Sequence, residues 1–445
     1  MYAIGIDIGT TSICGVVLDA VTGKVVRSRT ETSNAFIATK NSWEKIQDTE
    51  KIIALAVGIL EDLCEYPAVV IGLTGQMHGI VYVDADGKAV SPLYTWQDGR
   101  GTLPYKNTTY AEYLGSFSGY GNVTDFYNRV NDLRPENAAA HCTIMDYLGM
   151  VLCGLKRPKI HSTNAASMGC FDLEKKSFTY DVAAEISDGF DIIGTYKGIP
   201  VSVAIGDNQA SVFSTLAEEE DILINVGTGS QVSVVSSEIK SRENIETRPY
   251  FDGKYLVVGS ALCGGRAYGV LKEFFAGFLQ AAGISDVDIY EIMNRLATEK
   301  KRADMTAYGD DAKQVCDGLN VDTRFAGTRH QPELCGGITG ITVDNFTPAN
   351  LTFGFLAGMV EELYSMFEQM GEYRKNIVGS GNGIRKNGIL VQLAEERFEG
   401  SMKVPIHMEE AAYGAALFGL VACGMCENAQ EAQKIIKFEN FTKYL

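Results

Sequence analysis

Tyr2-Ala3-Ile4-Gly5-Ile6-Asp7-Ile8, then Gly9-Thr10-Thr11-Ser12, then Ile13-Cys14-Gly15-Val16-Val17-Leu18-Asp19 opens the chain: two β-rich runs around a turn of small residues. A dinucleotide fingerprint would need a helix after its glycines. A β-branched run follows instead, so the segment reads as a hairpin and the dinucleotide reading fails. The pattern returns in Ile222-Leu223-Ile224-Asn225-Val226, Gly227-Thr228-Gly229-Ser230 and Val232-Ser233-Val234-Val235, with Val25-Val26 and Tyr255-Leu256-Val257-Val258 as third strands of the two copies. An internal duplication is the economical explanation. Each copy adds helical spacing, over 48–65 and over 348–373. The second opens with Thr347-Pro348 and repeats Leu351, Phe355, Met359, Leu363 and Phe367. The reading is therefore α/β with two similar domains, 1–217 and 218–445, divided at the acidic run Glu218-Glu219-Glu220-Asp221 and facing one another across a cleft into which both turns point.

The composition limits the function. In 445 residues, 39 Lys and Arg stand against 56 Asp and Glu, a net charge of −17, which disfavours binding to nucleic acid or to an anionic membrane surface. A hydrophobic share of 46 % with 21 % charged residues is globular. The ten cysteines lie among apolar neighbours and read as reduced core thiols of a cytoplasmic protein. Cys423 and Cys426 have no second pair, which removes the zinc reading and leaves a helix interior. Residues 2–8 already look like a strand, so no signal peptide is expected. The Gly- and Ala-rich run Ala411 to Cys426 is too short to span a bilayer and reads as a closely packed buried helix.

The chemistry follows from the turns. Gly9, Thr10, Thr11 and Ser12 offer successive N–H and O–H donors without Cβ obstruction, as a polyphosphate requires, and Asp7 adds a carboxylate suited to hydrated magnesium. Gly227, Thr228 and Gly229 supply a second phosphate turn. Gly264-Gly265, after Gly259 to Cys263, and the late run Gly379-Ser380-Gly381-Asn382 complete the candidate ATP contacts. Asp207 follows the apolar run 201–206 and precedes a helix at 208–217. It is thus a carboxylate at a strand-to-helix corner, fitted to take a hydroxyl proton during phosphoryl transfer. Gln76, His78, Gln97, Asp98 and Arg100 are planar or charged groups suited to polyhydroxyl recognition, and Trp96, one of two tryptophans, sits among polar residues as a flat apolar face. The loop-like and basic segment 309–340 is placed at the rim of the cleft.

Asp7 to Ser12, Gly227 to Ser230 and Gly379 to Gly383 resemble the three nucleotide motifs of the actin-like ATPase superfamily, whose domains have the ribonuclease-H-like fold. Gly75-Gln76-Met77-His78-Gly79, Trp96-Gln97-Asp98-Gly99-Arg100 and Gly206-Asp207-Asn208-Gln209 resemble the sugar-binding and catalytic-base segments of the FGGY carbohydrate kinases. The Trp-Gln-Asp form and His161-Ser162-Thr163-Asn164-Ala165-Ala166-Ser167 are most similar to the sedoheptulokinase branch, ahead of the xylulokinases. The resemblance implies ATP and Mg²⁺ as cofactors, Asp207 as base, and Met77 and Asn208 among the sugar contacts. Segment 119–136 departs from the family in being short and lacking its Lys-x-x-Trp signature. The implied partners are a small sugar and ATP, with no nucleic acid and no membrane, and with a homodimer as the open assembly. A nucleotide-driven filament or chaperone of the same fold is the rival from another class. It needs no sugar segments. A sugar-binding regulator would have lost the base, which is present.

Overall fold

The computed structural model describes residues 1–308, 319–328, 331–372, 374 and 376–440. In chain order the elements that position the candidate site begin with strands β1 (Tyr2–Ile8), β2 (Ser12–Asp19) and β3 (Val25–Thr32), helix α1 (Thr49–Leu63) and strand β4 (Ala68–Gly75). There follow helix α2 (Ser162–Ser167), strands β5 (Ile192–Tyr196), β6 (Ile199–Ser202) and β7 (Ile205–Gly206), and helix α3 (Asp207–Thr215). Next come β8 (Ile222–Val226), β9 (Ser230–Ser236), β10 (Ile245–Pro249), β11 (Tyr255–Ala261), α4 (Gly264–Ala281) and α5 (Pro348–Met370). The chain ends through β12 (Ile377–Ser380), α6 (Gly381–Lys386), β13 (Met402–Pro405), α7 (Glu410–Ala422) and β14 (Phe438–Asn440).

The chain divides into two compact units. One holds Met1–Ala217, Arg248–Tyr255 and His407–Lys437, the other Glu218–Thr247, Leu256–Ile406 and Phe438–Leu445. The first sheet runs β5-β6-β4-β1-β2-β3, with β7 also on β4, and the second runs β10-β11-β9-β8-β12-β13-β14. In both, a hairpin (β1–β2, β8–β9) carries a further strand on one side and a parallel strand on the other (β4, β12). The repeated order is the topological form of the sequence duplication, and the turns after Ile8 and Val226 are the hairpins that the alternation requires.

Two segments depart from the linear division at residue 217. His407–Lys437 belongs to the first unit, as does Arg248–Tyr255. The reason lies in α7, whose Ala412 to Leu420 are all buried: a helix apolar on every side must be covered on every side. It packs on β1, β4 and α3. Gly5 and Gly72 make room for it, since a Cβ on either would lie 1.8 Å from the carbonyl oxygen of Ala412 or Ala415. The helix stops at Ala422, so Cys423 is its capping residue and Cys426 lies beyond its end, outside the helix interior expected for the pair. All nine described cysteines are free thiols.

Helix α1 is capped by Asp48, which accepts from the Lys51 N–H, and buries Ile52, Ala56, Ile59, Leu60 and Leu63. Helix α5 starts where Thr347 accepts from the Asn350 N–H, has Pro348 in its first turn, and buries Leu351, Phe355, Met359, Leu363 and Phe367. Of the segment 309–340, residues 309–318 and Arg329-His330 lie outside the described residues. The described part contains the antiparallel pair Asn320–Asp322 and Gly337–Thr339, and Arg324 is held by Asp322 at 2.7 Å. No described helix is long and apolar enough to cross a membrane.

Candidate functional site

Strand register brings two carboxylates to one end of the first sheet. Asp7 on β1 lies beside Thr74 of β4, and Ile205 of β7 lies beside the same Thr74 from the other flank. Thr74 Oγ1 donates to the Ile205 carbonyl at 2.8 Å, locking β7 to β4. Asp207 follows at once as the first residue of α3. The helix cap is Gly206, and Asp207 Oδ1 accepts from the Asn208 N–H at 2.6 Å. Burial, then the charges of Asp207 and Glu409, push the Asp7 carboxyl up to about 7. Burial also pushes Asp207 up to about 6, while the Asn208 N–H and the Arg248 charge act in the opposite direction.

Two members of this cluster were not singled out from the sequence. Arg248, buried near the end of β10, donates from Nη1 to Asn208 Oδ1 at 2.9 Å, and its signal is a cation inside a β-rich run. Glu409 caps α7 and faces Asp7, and its signal is the acidic pair Glu409-Glu410 ahead of an apolar helix.

The expected sugar residues separate into two groups. Asp98 and Arg100 turn inward. Their ion pair closes at 2.6 Å with both side chains buried, Arg100 also donates to Asn128 Oδ1 at 2.7 Å, and its guanidinium lies 4.4 Å over the Tyr94 ring. Gln76 is buried too, donating to Gln47 Oε1 at 3.0 Å, while Gln47 Nε2 donates to the Thr10 carbonyl at 2.7 Å. Met77 is core and packs on Gly206, the residue before Asp207. These four shape the loops instead of presenting groups to solvent. Trp96, 46 % exposed, and Gln97 point outward from the same loop, and the Trp96 indole N–H donates to Thr10 Oγ1 at 2.9 Å.

His78 is the other outward group, together with the partly exposed Asn208. Its Nδ1 lies 2.8 Å from the Ser167 carbonyl, which can only accept, so the neutral ring carries its proton on Nδ1 and its acceptor at Nε2. Tyr120 stacks on the ring at 4.4 Å and 12°. Tyr120 is a further aromatic at this site that the sequence does not mark, because the short segment 119–136 around it carries no motif.

On the second unit, Gly264 and Gly265 seat the start of α4 on the turn after β8. The Gly265 and Arg266 N–H groups donate to the Gly227 and Thr228 carbonyls at 3.1 and 2.9 Å. A Cβ at Gly264 would stand 2.4 Å from Ser230 N, and one at Gly265 2.3 Å from Gly227 O. Asn225 Nδ2 donates to Ser380 Oγ at 2.5 Å, and Gly381, at φ +83°, rests on the Val226 carbonyl. Gly379 and Ser380 end β12, and Gly381 and Asn382 begin α6, so the late glycine run is a strand-to-helix corner and not an open turn. Thr228 is exposed at the tip. Backbone N–H groups at such turns and helix starts suit anionic ligands.

Residues 2–113 match the N-terminal domain of the FGGY family of carbohydrate kinases, and residues 222–423 match its C-terminal domain. The chain belongs to the FGGY family of carbohydrate kinases. This FGGY kinase is 28 % identical over 483 residues to a sedoheptulokinase of Mus musculus, covering 93 % of this chain and 96 % of that one. It is 21 % identical over 488 residues to a gluconokinase of Bacillus subtilis, covering 98 % and 90 %. Its fold matches the crystal structure of a xylulose kinase from Rhodospirillum rubrum with a TM-score of 0.81 at 17 % identity, covering 99 % and 93 % of the two chains.

Among the described residues no group of three or more His, Cys, Asp or Glu is arranged to hold a metal ion. Magnesium does not require such a cage, since it keeps waters and takes substrate phosphates as ligands. The chemistry of Asp7 fits that role: its carboxyl is raised by burial first and then by two neighbouring acids, and a divalent cation would relieve that repulsion.

Proposed function

We propose that this FGGY kinase transfers the γ-phosphate of ATP to the primary hydroxyl of a ketose, with sedoheptulose as the substrate. The observation that supports this most is the corner Gly206-Asp207-Asn208, where a desolvated carboxylate stands beside the buried cation Arg248 and on the unit that carries Trp96, His78 and Tyr120. The identity with a sedoheptulokinase supports the choice of sugar. Xylulose is the second reading, supported by the likeness to xylulose kinases in sequence and in fold.

In this proposal Asp207 takes the proton as the hydroxyl oxygen attacks the γ-phosphorus. The bond from the γ-phosphorus to the bridging oxygen breaks, and ADP leaves. His78, Trp96, Gln97 and Asn208 hold the sugar, and Asp98, Arg100, Gln76 and Met77 fix the loops that present them. ATP is assigned to Gly9–Ser12, Gly227–Gly229, Gly264, Gly265 and Gly379–Asn382. Magnesium, held through Asp7, would neutralise charge on the transferring phosphate.

A coupled ADP-release assay across ketoses, aldoses and polyols tests the proposal. Sedoheptulose should give the highest kcat/KM, and Asp207→Asn should lower kcat about 10²–10⁴-fold with sugar affinity retained. Sugar-independent ATP hydrolysis at the full rate would favour an actin-like ATPase without a sugar substrate.

A further inference from the structure

The segment 161–167 holds none of the residues assigned to sugar or ATP, yet Ser162, Thr163, Asn164 and Ser167 are all buried polar residues. Buried polar groups are retained where their hydrogen bonds determine a geometry. At one end of α2, Ser167 Oγ donates to the Asn164 carbonyl at 2.7 Å, which turns its lone pairs toward the His78 N–H, 3.1 Å away. The Ser167 carbonyl accepts from His78 Nδ1 at 2.8 Å. His78 has φ +74°, a backbone conformation that side chains with a Cβ disfavour, so these two bonds hold a strained residue in place.

At the other end, His161 Nδ1 accepts from the Thr163 N–H at 3.2 Å, so at 2.9 Å the Thr163 hydroxyl donates to that nitrogen. Burial pushes His161 down to about 4, which keeps the ring a neutral acceptor. Thr163 Oγ1 is thereby oriented to accept from the Gly206 N–H at 3.1 Å, one residue before Asp207. Asn164 Nδ2 donates to the Ala204 carbonyl at 3.1 Å and to Asp146 Oδ1 at 3.3 Å. β6 ends at Ser202 and β7 starts at Ile205, so side chains of α2 supply partners along the stretch where the strand is interrupted.

We infer that α2 is a positioning element which sets both halves of the acceptor site, Ser167 holding His78 for the sugar and Thr163 holding the backbone that aims Asp207. The inference rests on the proposed kinase function and adds to it which residues keep acceptor and base in register. Neither residue is catalytic; each acts through another.

The test is a pair of substitutions with different kinetic effects, measured on the full chain with its best sugar and saturating ATP. Ser167→Ala should raise the sugar KM about tenfold with kcat changed less than about twofold. Thr163→Val should lower kcat about tenfold with the sugar KM nearly unchanged, and Thr163→Ser should restore it, because the hydroxyl is kept. Equal behaviour of Thr163→Val and Thr163→Ser, or a fall in melting temperature with unchanged kinetics, overturns the inference. Should Thr163→Val not fold, Ser167→Ala decides alone, and an unchanged sugar KM overturns it. A wild-type chain that phosphorylates no sugar removes the proposed function and the inference together. An active wild type without the split removes the inference only.

Discussion

The Trp96 indole N–H donates to Thr10 Oγ1 at 2.9 Å, joining the outward face of the Trp96 loop to the turn after Ile8. The same hydroxyl lies 3.4 Å from Gln76 Oε1. One side chain therefore serves groups assigned to two different ligands. Thr10→Val should raise both the sugar KM and the ATP KM, each about three- to tenfold, and change the Trp96 emission. A change confined to one substrate would separate the two loops functionally.

Thr228, exposed at the tip of the second turn, should act on nucleotide alone. A hydrogen bond to a charged group contributes about 1.5–3 kcal/mol, so Thr228→Val should raise the ATP KM about 10- to 100-fold. Sugar affinity, read by calorimetry without nucleotide, should not move. If it moves while the ATP KM stays, the assignment of the two turns is reversed.

The acid cluster makes a statement about pH. The carboxyls of Asp7 and Asp207 titrate at about 7 and about 6 in the folded chain, above an ordinary aspartate. Between those values and the unfolded pKa the folded state holds more protons. Their contribution to stability is fully present below about pH 4 and is lost as pH rises through 6 to 7. Asp7→Asn, which removes the charge but keeps the shape, should match the wild-type melting temperature at pH 4 and exceed it increasingly toward pH 8, in chelator and without nucleotide. A difference that does not vary with pH would contradict the clustering. Turnover should rise with pH through about 6 as Asp207 ionises.

Gly414 of α7 faces α3 so closely that a Cβ would lie 1.9 Å from the Ala210 carbonyl oxygen. Gly414→Ala forces the helices apart. Overpacking of this kind destabilises by about 1–3 kcal/mol, and because α3 begins with Asp207, kcat should fall as well. Thermal unfolding and steady-state kinetics on the same preparation check both, and an unchanged melting temperature would show that the contact yields without strain.

How far these features could be read in advance depended on their reach along the chain. The hairpins were legible because alternation, a small-residue turn and a recurring copy are local signals, and the strand-to-helix corner at Asp207 was legible because an apolar run, a glycine and a helix start fall within a few residues. Glu409 and Arg248 were not. Each reaches the cluster from a segment that leaves the first unit and returns, and pattern along the chain carries no record of return. Asp98 and Arg100 show what residue type leaves out: their types suit sugar hydroxyls, while in the fold a neighbouring opposite charge and the Tyr94 ring already engage them. Gln76 and Met77 behave likewise, with residue type preserved and direction inward. Types and spacing identify a loop; burial decides which of its residues face out.

The return of His407–Lys437 to the first unit changes what the molecule is during its own synthesis. A nascent chain that has reached Ala217 holds β1 and β4 with the face meant for α7 uncovered, and nothing made before residue 410 can cover it. The second unit closes even later, because β14 at Phe438–Asn440 is the edge strand beside β13. Neither half can finish folding before the segment after His407 is made, so the first half does not fold early on the N-terminal-first pattern of multidomain chains. Both units stay incomplete until the segment 407–440 is made, and a truncation before His407 should leave not one folded half but two unfinished ones.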